Sequence, residues 1–364
     1  MAYATKAFLC RAMASLAHDE GLMLDVSTGG ELHVALAAGV PGERLVMHGN
    51  NKSADELAVA TGAGVHRLVV DSFDELDRLE RLERTGMPAV LLRITPGVEA
   101  HTHEFVRTGQ DDTKFGFGLA SGAADEAVGR ARALEKAGLL RLAGIHAHIG
   151  SQIFLLESFD AEVDALGRWF TGLGLDELCI GGGLGVAYVE GERAPTIWEW
   201  AARVRESCAA HGIPPEVRIT AEPGRSIVAS AAITLYTVGT IKHLPGIRTY
   251  VSVDGGMSDN PRPVLYGSGY EAFLPRAVTA ARAMRVTIVG KHCETGDVLV
   301  QDAALPSDTQ VGDTLATPVT GAYGYSMASN YNKVPRPAVV FVQDGRSRVV
   351  VRRETYQDLL RLEP

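Results

Sequence analysis

The chain has 364 residues, 46% of them hydrophobic, and a formal net charge of −9. That length suits one or two globular domains, and an acidic balance without a long basic cluster argues against a nucleic-acid partner. No apolar run approaches the roughly 20 residues that span a bilayer, and Met1-Ala-Tyr-Ala-Thr-Lys6 lacks the basic and apolar regions of a secretory signal. Cys10, Cys179, Cys208 and Cys293 are far apart with no C-x-x-C spacing. They read as reduced thiols of a cytoplasmic protein, not as a disulfide framework or zinc site.

Short apolar stretches alternate with helical periodicity through the first 232 residues. The expected strands are Ala2–Ala4, Leu22–Val26, Arg44–Met47, Arg67–Val70, Ala89–Ile94, Leu142–Ala147, Glu177–Ile180 and Val217–Ala221. Between them, Leu9, Met13 and Leu16 share a helical face that ends at Gly21, and Leu32 and Leu36 repeat the spacing before Gly39. Ser53 with Glu56, Ser72 with Glu75 and Thr196 with Glu199 each fit a capping box. Phe159, Val163, Leu166 and Phe170 form a further stripe, and all these stripes read as core packing.

Eight strand–helix units predict a (β/α)8 TIM-type barrel, with a doubly wound open sheet as the alternative. The polar residues favour the barrel. Lys6, Asp25, His48 to Asn51, Asp71, His148, Gly181 to Gly183 and Glu222 each follow a strand, and a barrel brings all those ends to one mouth. After about Ala232 strands follow one another without long helices: Ile233–Ile241, Arg248–Val253, Met284–Val289, Asp297–Gln301 and Asp313–Thr317. Ala338–Val342 and Arg348–Arg352 flank the hairpin signal Asp344-Gly345, and Thr355–Leu362 reads as a short terminal helix. The expected organisation is a barrel over residues 1–232 and a C-terminal β-rich domain over 233–364.

The run Gly181-Gly-Gly183 follows the seventh strand, and Glu222-Pro-Gly-Arg225 follows the eighth. Backbone N–H groups in two such turns can converge on an anion, and this is the usual phosphate position in barrels of this kind. Lys6 alone reads as a solvated surface lysine. Across the same mouth as a phosphate cradle and an acidic residue, it reads as an imine-forming amine. Those three elements are what pyridoxal 5'-phosphate (PLP) requires. Lys6 would hold the aldehyde and Glu222 would keep the pyridine nitrogen protonated, so that the ring can accept electrons from a substrate carbanion.

Nine motifs occur in order from Tyr3 to the C-terminal part. They are Tyr3-Ala-Thr-Lys-Ala7, His48-Gly-Asn-Asn-Lys-Ser53, His146-Ala-His-Ile-Gly-Ser-Gln152, Gly181-Gly-Gly183, Glu222-Pro-Gly-Arg225, Asp254-Gly-Gly-Met257, Arg262-Pro-x-x-Tyr266, Cys293-Glu-Thr-Gly-Asp297 and Gly321-Ala-Tyr323. Together they resemble the diaminopimelate decarboxylases, a family of the alanine-racemase-like (fold-type III) class of PLP enzymes. The resemblance implies a lyase of lysine biosynthesis that releases CO2 from meso-2,6-diaminopimelate to give L-lysine. It also implies a cytoplasmic homodimer with shared active sites.

Carried over residue by residue, the resemblance implies that Lys6 is the PLP lysine and that His148 stacks on the ring. Asp25, Glu222 and Arg225 join the cofactor site, with Glu222 at the ring nitrogen. Ser151, Gly182, Gly183, Gly224 and Tyr323 hold the phosphate. Arg225, Arg262 and Tyr266 grip the carboxylate at the unreactive end of the substrate, Glu294 meets its distal ammonium, Tyr323 also contacts the substrate, and Cys293 protonates the carbanion. In the family, Cys293 and Glu294 come from the partner subunit. The residue types suit the chemistry. Arginine pairs bidentately with a carboxylate, the two ends of the substrate are told apart by chirality, and a thiol with an ordinary pKa of about 8.5 carries a proton to donate at neutral pH.

His146 and His148, two apart on one strand, also read as a metal pair, but no evident carboxylate accompanies them and no metal is expected. His101 and His103 form a second H-x-H in a loop. Asp71 and Ser72 most simply end a strand and cap a helix. Thr295 stands where the family commonly has serine. The family has a further strand and helix before the PLP lysine, whereas Lys6 is five residues from Met1, so the chain reads as N-terminally shortened with an unpaired edge in its β-domain. The alternatives are a related basic-amino-acid decarboxylase, acting on ornithine, arginine or carboxynorspermidine, a non-catalytic PLP carrier, or an inactive shortened homologue that still binds PLP.

Overall fold

The computed structural model describes residues 1–83, 86–98, 110 and 112–364. These fall into two compact units, Met1–Val186 with Arg193–Ser226, and Ala187–Glu192 with Ile227–Pro364.

The first unit is the expected barrel. Its strands are β1 (Ala2–Ala4), β2 (Met23–Val26), β3 (Leu45–Met47), β4 (Arg67–Val70), β5 (Ala89–Thr95), β6 (Phe117–Gly118), β7 (Arg141–Ala147), β8 (Glu177–Cys179) and β9 (Arg218–Thr220). Eight run parallel in the order β1-β2-β3-β4-β5-β7-β8-β9, and the two-residue β6 hangs on β5. Two backbone bonds, Ala2 N to Ala221 O at 2.9 Å and Ala4 N to Pro223 O at 3.2 Å, join β1 to the residues after β9 and close the ring. The alternative of an open sheet is thereby set aside. All eight expected strands are present, with ends moved by one residue at most places because short buried strands give way directly to polar loops.

The interior is layered. At the N-terminal end, Arg67 of β4 donates to Glu177 of β8 at 2.7 and 3.0 Å. These strands are not neighbours, so the ion pair crosses the inside of the barrel. Ala2, Val46, Val69, Leu91, Ala143 and Cys179, one residue from each of six strands, form an apolar cluster. The C-terminal end is polar and is described below.

The helices of this unit are α1 (Arg11–Asp19), α2 (Gly29–Ala37), α3 (Ala54–Gly62), α4 (Phe73–Arg81), α5 (Ala123–Lys136), α6 (Glu157–Thr171) and α7 (Ile197–Ala210), and the short α8 (Arg225–Val228) carries the chain from the first unit into the second. The α6 stripe of Phe159, Val163, Leu166 and Phe170 is fully buried, and each such side chain contributes about 1.5–3 kcal/mol of burial free energy. The α1 stripe needs correction. Leu9 precedes the helix and Leu16 is 43% exposed, so its buried face is Met13, Ala14 and Ala17. Small alanines let the helix approach, a signal that counting large apolar residues misses. The boxes at Ser53–Glu56 and Thr196–Glu199 form completely. At Ser72 only half does: Ser72 accepts from Glu75 N, but the Glu75 carboxylate turns to Asp71 N and Lys52.

Between α6 and α7, Glu162 is fully buried and neither of its oxygens has a hydrogen-bond partner among the described residues; the same holds for Ser158 Oγ, Trp200 Nε1 and Ser207 Oγ. Burial pushes the Glu162 carboxyl well above the ordinary range. The folded state therefore holds this proton more tightly than the unfolded chain. Stability is lost as pH rises past the unfolded glutamate value toward the folded one. Glu162→Gln is expected to flatten the fall of melting temperature with pH across that window. An unchanged slope would mean that Glu162 ionises freely in the fold.

The second unit is β-rich. A five-stranded sheet has the order β13-β12-β11-β10-β14, from β10 (Ile233–Leu244), β11 (Arg248–Val253), β12 (Met284–Val289), β13 (Val298–Leu305) and β14 (Thr314–Pro318). The hairpin β15 (Val339–Gln343) and β16 (Arg346–Val351) turns at Asp344 and Gly345, both at positive φ (51° and 71°). That is the geometry for which the Asp-Gly pair is selected. Short helices α9 (Arg262–Tyr266) and α10 (Tyr356–Leu360) complete the unit, and Thr355 caps the latter.

Candidate active site

The polar end of the barrel gathers the predicted barrel residues. Lys6 sits in a 3-10 turn directly after β1, exposed, with no hydrogen bond or ion pair among the described residues. Thr5 beside it is tied to Asp25 O at 2.7 Å and Glu31 Oε2 at 3.2 Å, which fixes the turn. Asp25, the third residue of β2, is buried, and its Oδ1 accepts no hydrogen bond among the described residues while facing His48 Nε2 at 3.7 Å. Burial raises the Asp25 pKa to about 6, against the opposing pull of His48.

Glu222, immediately beyond β9, is buried with both oxygens engaged. Its Oε1 lies 2.8 Å from His48 Nε2 and its Oε2 3.0 Å from His146 Nε2. Burial alone would raise the Glu222 pKa, but the two histidines outweigh it and the carboxyl is held well below the ordinary range. Burial opposes a charge on His48 too, yet Asp25 and Glu222 together raise its pKa. His146 has only Glu222 to oppose its burial, and its pKa falls to about 4. Among the described residues these three are the group whose donor atoms lie close enough to one another, within 4.8 Å, to be considered for a metal. The contacts at 2.8 and 3.0 Å are those of N–H···O bonds. The sequence reading paired His146 with His148 and found no carboxylate for them. The structure corrects both points: Glu222 supplies the carboxylate, and His146 teams with His48 from across the barrel.

His148 lies just past β7. Gly182 N donates to its Nδ1 at 3.2 Å, which leaves Nδ1 unprotonated. Burial, reinforced by Lys6 and Arg93, holds its pKa well below the ordinary range, so the ring is neutral. Three loops then close on one another. Glu222 N donates to Gly181 O at 2.7 Å, Ile153 N to Gly183 O at 2.9 Å, and Arg225 Nη2 to Ser151 Oγ at 2.9 Å. A Cβ on Gly182 would sit 2.3 Å from Glu222 O, and one on Gly183 (φ +102°) 2.4 Å from Gly150 O. These are steric impossibilities, so only glycine permits this approach of backbones. Gly224 lies as close to β1, with a Cβ position 2.9 Å from Ala4 O. Asp71 accepts from Gly116 N at 2.7 Å and faces Arg93 at 3.6 Å, a contact the sequence did not suggest. His101 and His103 lie outside the described residues.

The second unit carries the other predicted residues. Arg262 opens α9, 5% exposed; it stacks over Tyr188 at 4.2 Å and donates to Tyr270 Oη at 2.7 Å. Tyr266 ends the same helix, and Tyr323 takes a left-handed backbone (φ 59°). Cys293 and Glu294 are exposed on the loop between β12 and β13. Asp297 organises that loop by accepting from Met257 N at 2.7 Å, His292 N at 2.9 Å and His292 Nδ1 at 2.8 Å. Cys293 N donates to Asn332 Oδ1 at 2.9 Å, and Tyr331 stacks on His292. Sequence reasoning missed His48, Arg93, Tyr188, Tyr270, His292 and Asp297 as supports. The usable signals were the position of His48 right after a strand and the Gly-Asp pair closing the Cys293 motif.

The barrel residues fit PLP as judged from this geometry: an unpartnered amine, an orphaned buried carboxylate oxygen, an anionic acid, a neutral ring and a glycine-only cradle. A family model, the pyridoxal binding domain of pyridoxal-dependent decarboxylases, matches residues 1–229. The chain is 47% identical over 376 residues to the diaminopimelate decarboxylase of Bacillus subtilis, covering 100% of this chain and 84% of that one. To the diaminopimelate decarboxylase of Mycobacterium tuberculosis it is 48% identical over 381 residues, covering 99% and 84%. Among solved structures, diaminopimelate decarboxylase from Helicobacter pylori complexed with L-lysine superposes with a TM-score of 0.90 at 32% identity, covering 100% of this chain and 89% of that one.

Proposed function

Since the chain belongs to the diaminopimelate decarboxylase family of pyridoxal-dependent decarboxylases, we propose that it converts meso-2,6-diaminopimelate to L-lysine and CO2. The observation that carries the reading is the convergence of Lys6, Asp25, His148, Glu222 and the two glycine turns at one barrel mouth. PLP, when bound, supplies an electron sink for the carbanion left as CO2 departs.

The chain's own residues do the rest. The Lys6 amine, exposed and with no hydrogen bond or ion pair among the described residues, would hold the cofactor aldehyde. Glu222, held ionised, would pair with the ring nitrogen, and neutral His148 would contact the ring without adding charge. Ser151, Gly182, Gly183, Gly224 and Tyr323 would take the phosphate, with Arg225 bracing Ser151. Arg225, Arg262, Tyr266 and Tyr323 bind the distal carboxylate and Glu294 the distal ammonium, so the substrate is held by the end that does not react. Leaving the reacting carboxylate without a cationic partner favours its loss. Cys293 delivers a proton to the former carboxylate carbon. The exposure of Cys293 and Glu294 supports their donation to the site of a partner subunit, and we place the enzyme as a homodimer. Four cysteines that form no disulfide among the described residues, and a biosynthetic reaction, support a cytoplasmic location.

The test is product analysis of the chain incubated with PLP and, in parallel, meso-diaminopimelate, ornithine and arginine. Lysine and CO2 from the first alone is the expected result. Turnover of ornithine or arginine in preference would overturn the assigned role of Arg262, Tyr266 and Glu294, because those substrates have no distal carboxylate.

A further inference from the structure

Glu222 is held from two sides by residues that no role above uses. His48 follows β3 and His146 lies in β7, strands set apart in the ring, so the two imidazoles meet over the barrel interior with centroids 4.9 Å apart and planes at 69°. Each directs Nε2 at a different oxygen of the same carboxylate, at 2.8 and 3.0 Å. A carboxylate only accepts, so both Nε2 atoms carry hydrogen.

The two partners are not equivalent. His146 Nδ1 is buried and has no hydrogen-bond partner among the described residues, and nothing there would stabilise a second proton. His48 Nε2 faces two carboxylates, Glu222 at 2.8 Å and Asp25 at 3.7 Å. Among the described residues, other charged or titratable groups also act on this cluster: Arg93 on β5, which opposes a cation on either histidine, Lys6 and Glu31, which act on Asp25, His148 just past β7, which interacts with His146 and Glu222, and Cys179 on β8, which interacts with Glu222.

We propose that His48 and His146 are positioning residues for Glu222, His48 as a charged donor that keeps the carboxylate ionised and His146 as a neutral donor that fixes its plane. The inference rests on the reading that Glu222 meets the ring nitrogen of the cofactor. A buried carboxyl stripped of a cationic partner takes up a proton and can no longer oppose a positive ring nitrogen. Loss of the neutral donor leaves the charge in place and costs orientation alone. The directions of the pKa shifts agree with this division: His48 up, His146 down, Glu222 down.

The first test uses the unsubstituted chain. Nitrogen-15 NMR of the imidazoles near neutral pH, with and without PLP, is expected to show His48 protonated on both nitrogens and His146 on Nε2 alone. A neutral His48 or a doubly protonated His146 overturns the proposal. The second test compares His48→Gln with His146→Gln, since glutamine keeps a neutral donor but no charge. Isotope-edited infrared spectra of the cofactor-free chain are expected to show Glu222 protonated near neutral pH in His48→Gln and ionised in His146→Gln. In the loaded enzyme His48→Gln is expected to lower kcat by about 10²-fold with little change in KM, and His146→Gln to cost at least about tenfold less. Equal losses, or an ionised Glu222 in His48→Gln, overturn the division of roles. Glu222→Gln separates the two readings: wild-type kcat in that variant would remove Glu222 from the cofactor, while the infrared and NMR results would still decide how the histidines hold it.

Discussion

Lys6→Ala is expected to leave a folded chain that cannot hold its cofactor covalently and releases CO2 no faster than free PLP in solution. The physical basis is the isolation of this side chain. Lys6 is exposed and makes no hydrogen bond or ion pair among the described residues, so its removal should change stability by no more than about 0.5 kcal/mol. Its backbone turn is held by Thr5 and not by the lysine. The loops proposed to take the phosphate, residues 150–153, 181–185 and 222–225, are joined by hydrogen bonds in which Lys6 has no part. PLP should therefore still bind, reversibly. Borohydride reduction followed by mass spectrometry of the intact chain checks this: the unsubstituted chain gains one phosphopyridoxyl group (the cofactor less water plus two hydrogens), and Lys6→Ala gains none. A reduced adduct on Lys6→Ala, mapped to another lysine, would sink the assignment, as would retained turnover.

The barrel was largely legible in the sequence because its strands are short apolar runs, each closed by a polar residue or glycine, and that punctuation is local. Asp344-Gly345 was legible for the same reason: both positions need positive φ, and the residue types state it. Contacts made across the ring were not legible. Nothing near His48 in sequence announces Glu222, 174 residues away, and nothing near Arg67 announces Glu177, 110 residues away. The H-x-H spacing at His146 and His148 even misdirects. It suggests two ligands side by side, whereas the end of β7 at Ala147 separates them, one turned to Glu222 and the other to the glycine turn. Ser72 and Glu75 fit a capping box by spacing, but a buried lysine claims the carboxylate. Local pattern reports what a residue can do, and the closed barrel decides which partner it meets.

That lysine gives the largest expected effect on stability. Lys52 and Lys6 both lie in loops following barrel strands, and that position alone does not rank them as amines. The structure separates them. Lys52 is 1% exposed, donates to Gly49 O at 2.6 Å and Val69 O at 2.8 Å, and pairs with Glu75 at 2.9 Å; Glu75 is itself 1% exposed. Its ammonium is committed to pinning the loop after β3 to β4 and α4, and it has no lone pair to offer an aldehyde. Lys52→Met removes the charge and leaves Glu75 buried, for which the expected loss is about 3–5 kcal/mol. Burial already raises the Glu75 pKa, and Lys52 is the largest influence restraining it. Without Lys52 the folded state should hold the Glu75 proton far more tightly than the unfolded chain. The variant should therefore lose stability steadily as pH rises above the unfolded glutamate value, a slope that the unsubstituted chain shows only weakly. Lys52→Met with Glu75→Leu removes both charges and should recover most of the loss, leaving a cost from the two carbonyls that lose their donor. Urea unfolding of the three chains at several pH values measures all of this. A Lys52→Met chain as stable as the parent, or one whose stability does not depend further on pH, would mean that water reaches Glu75 and that the pair is not a buried one.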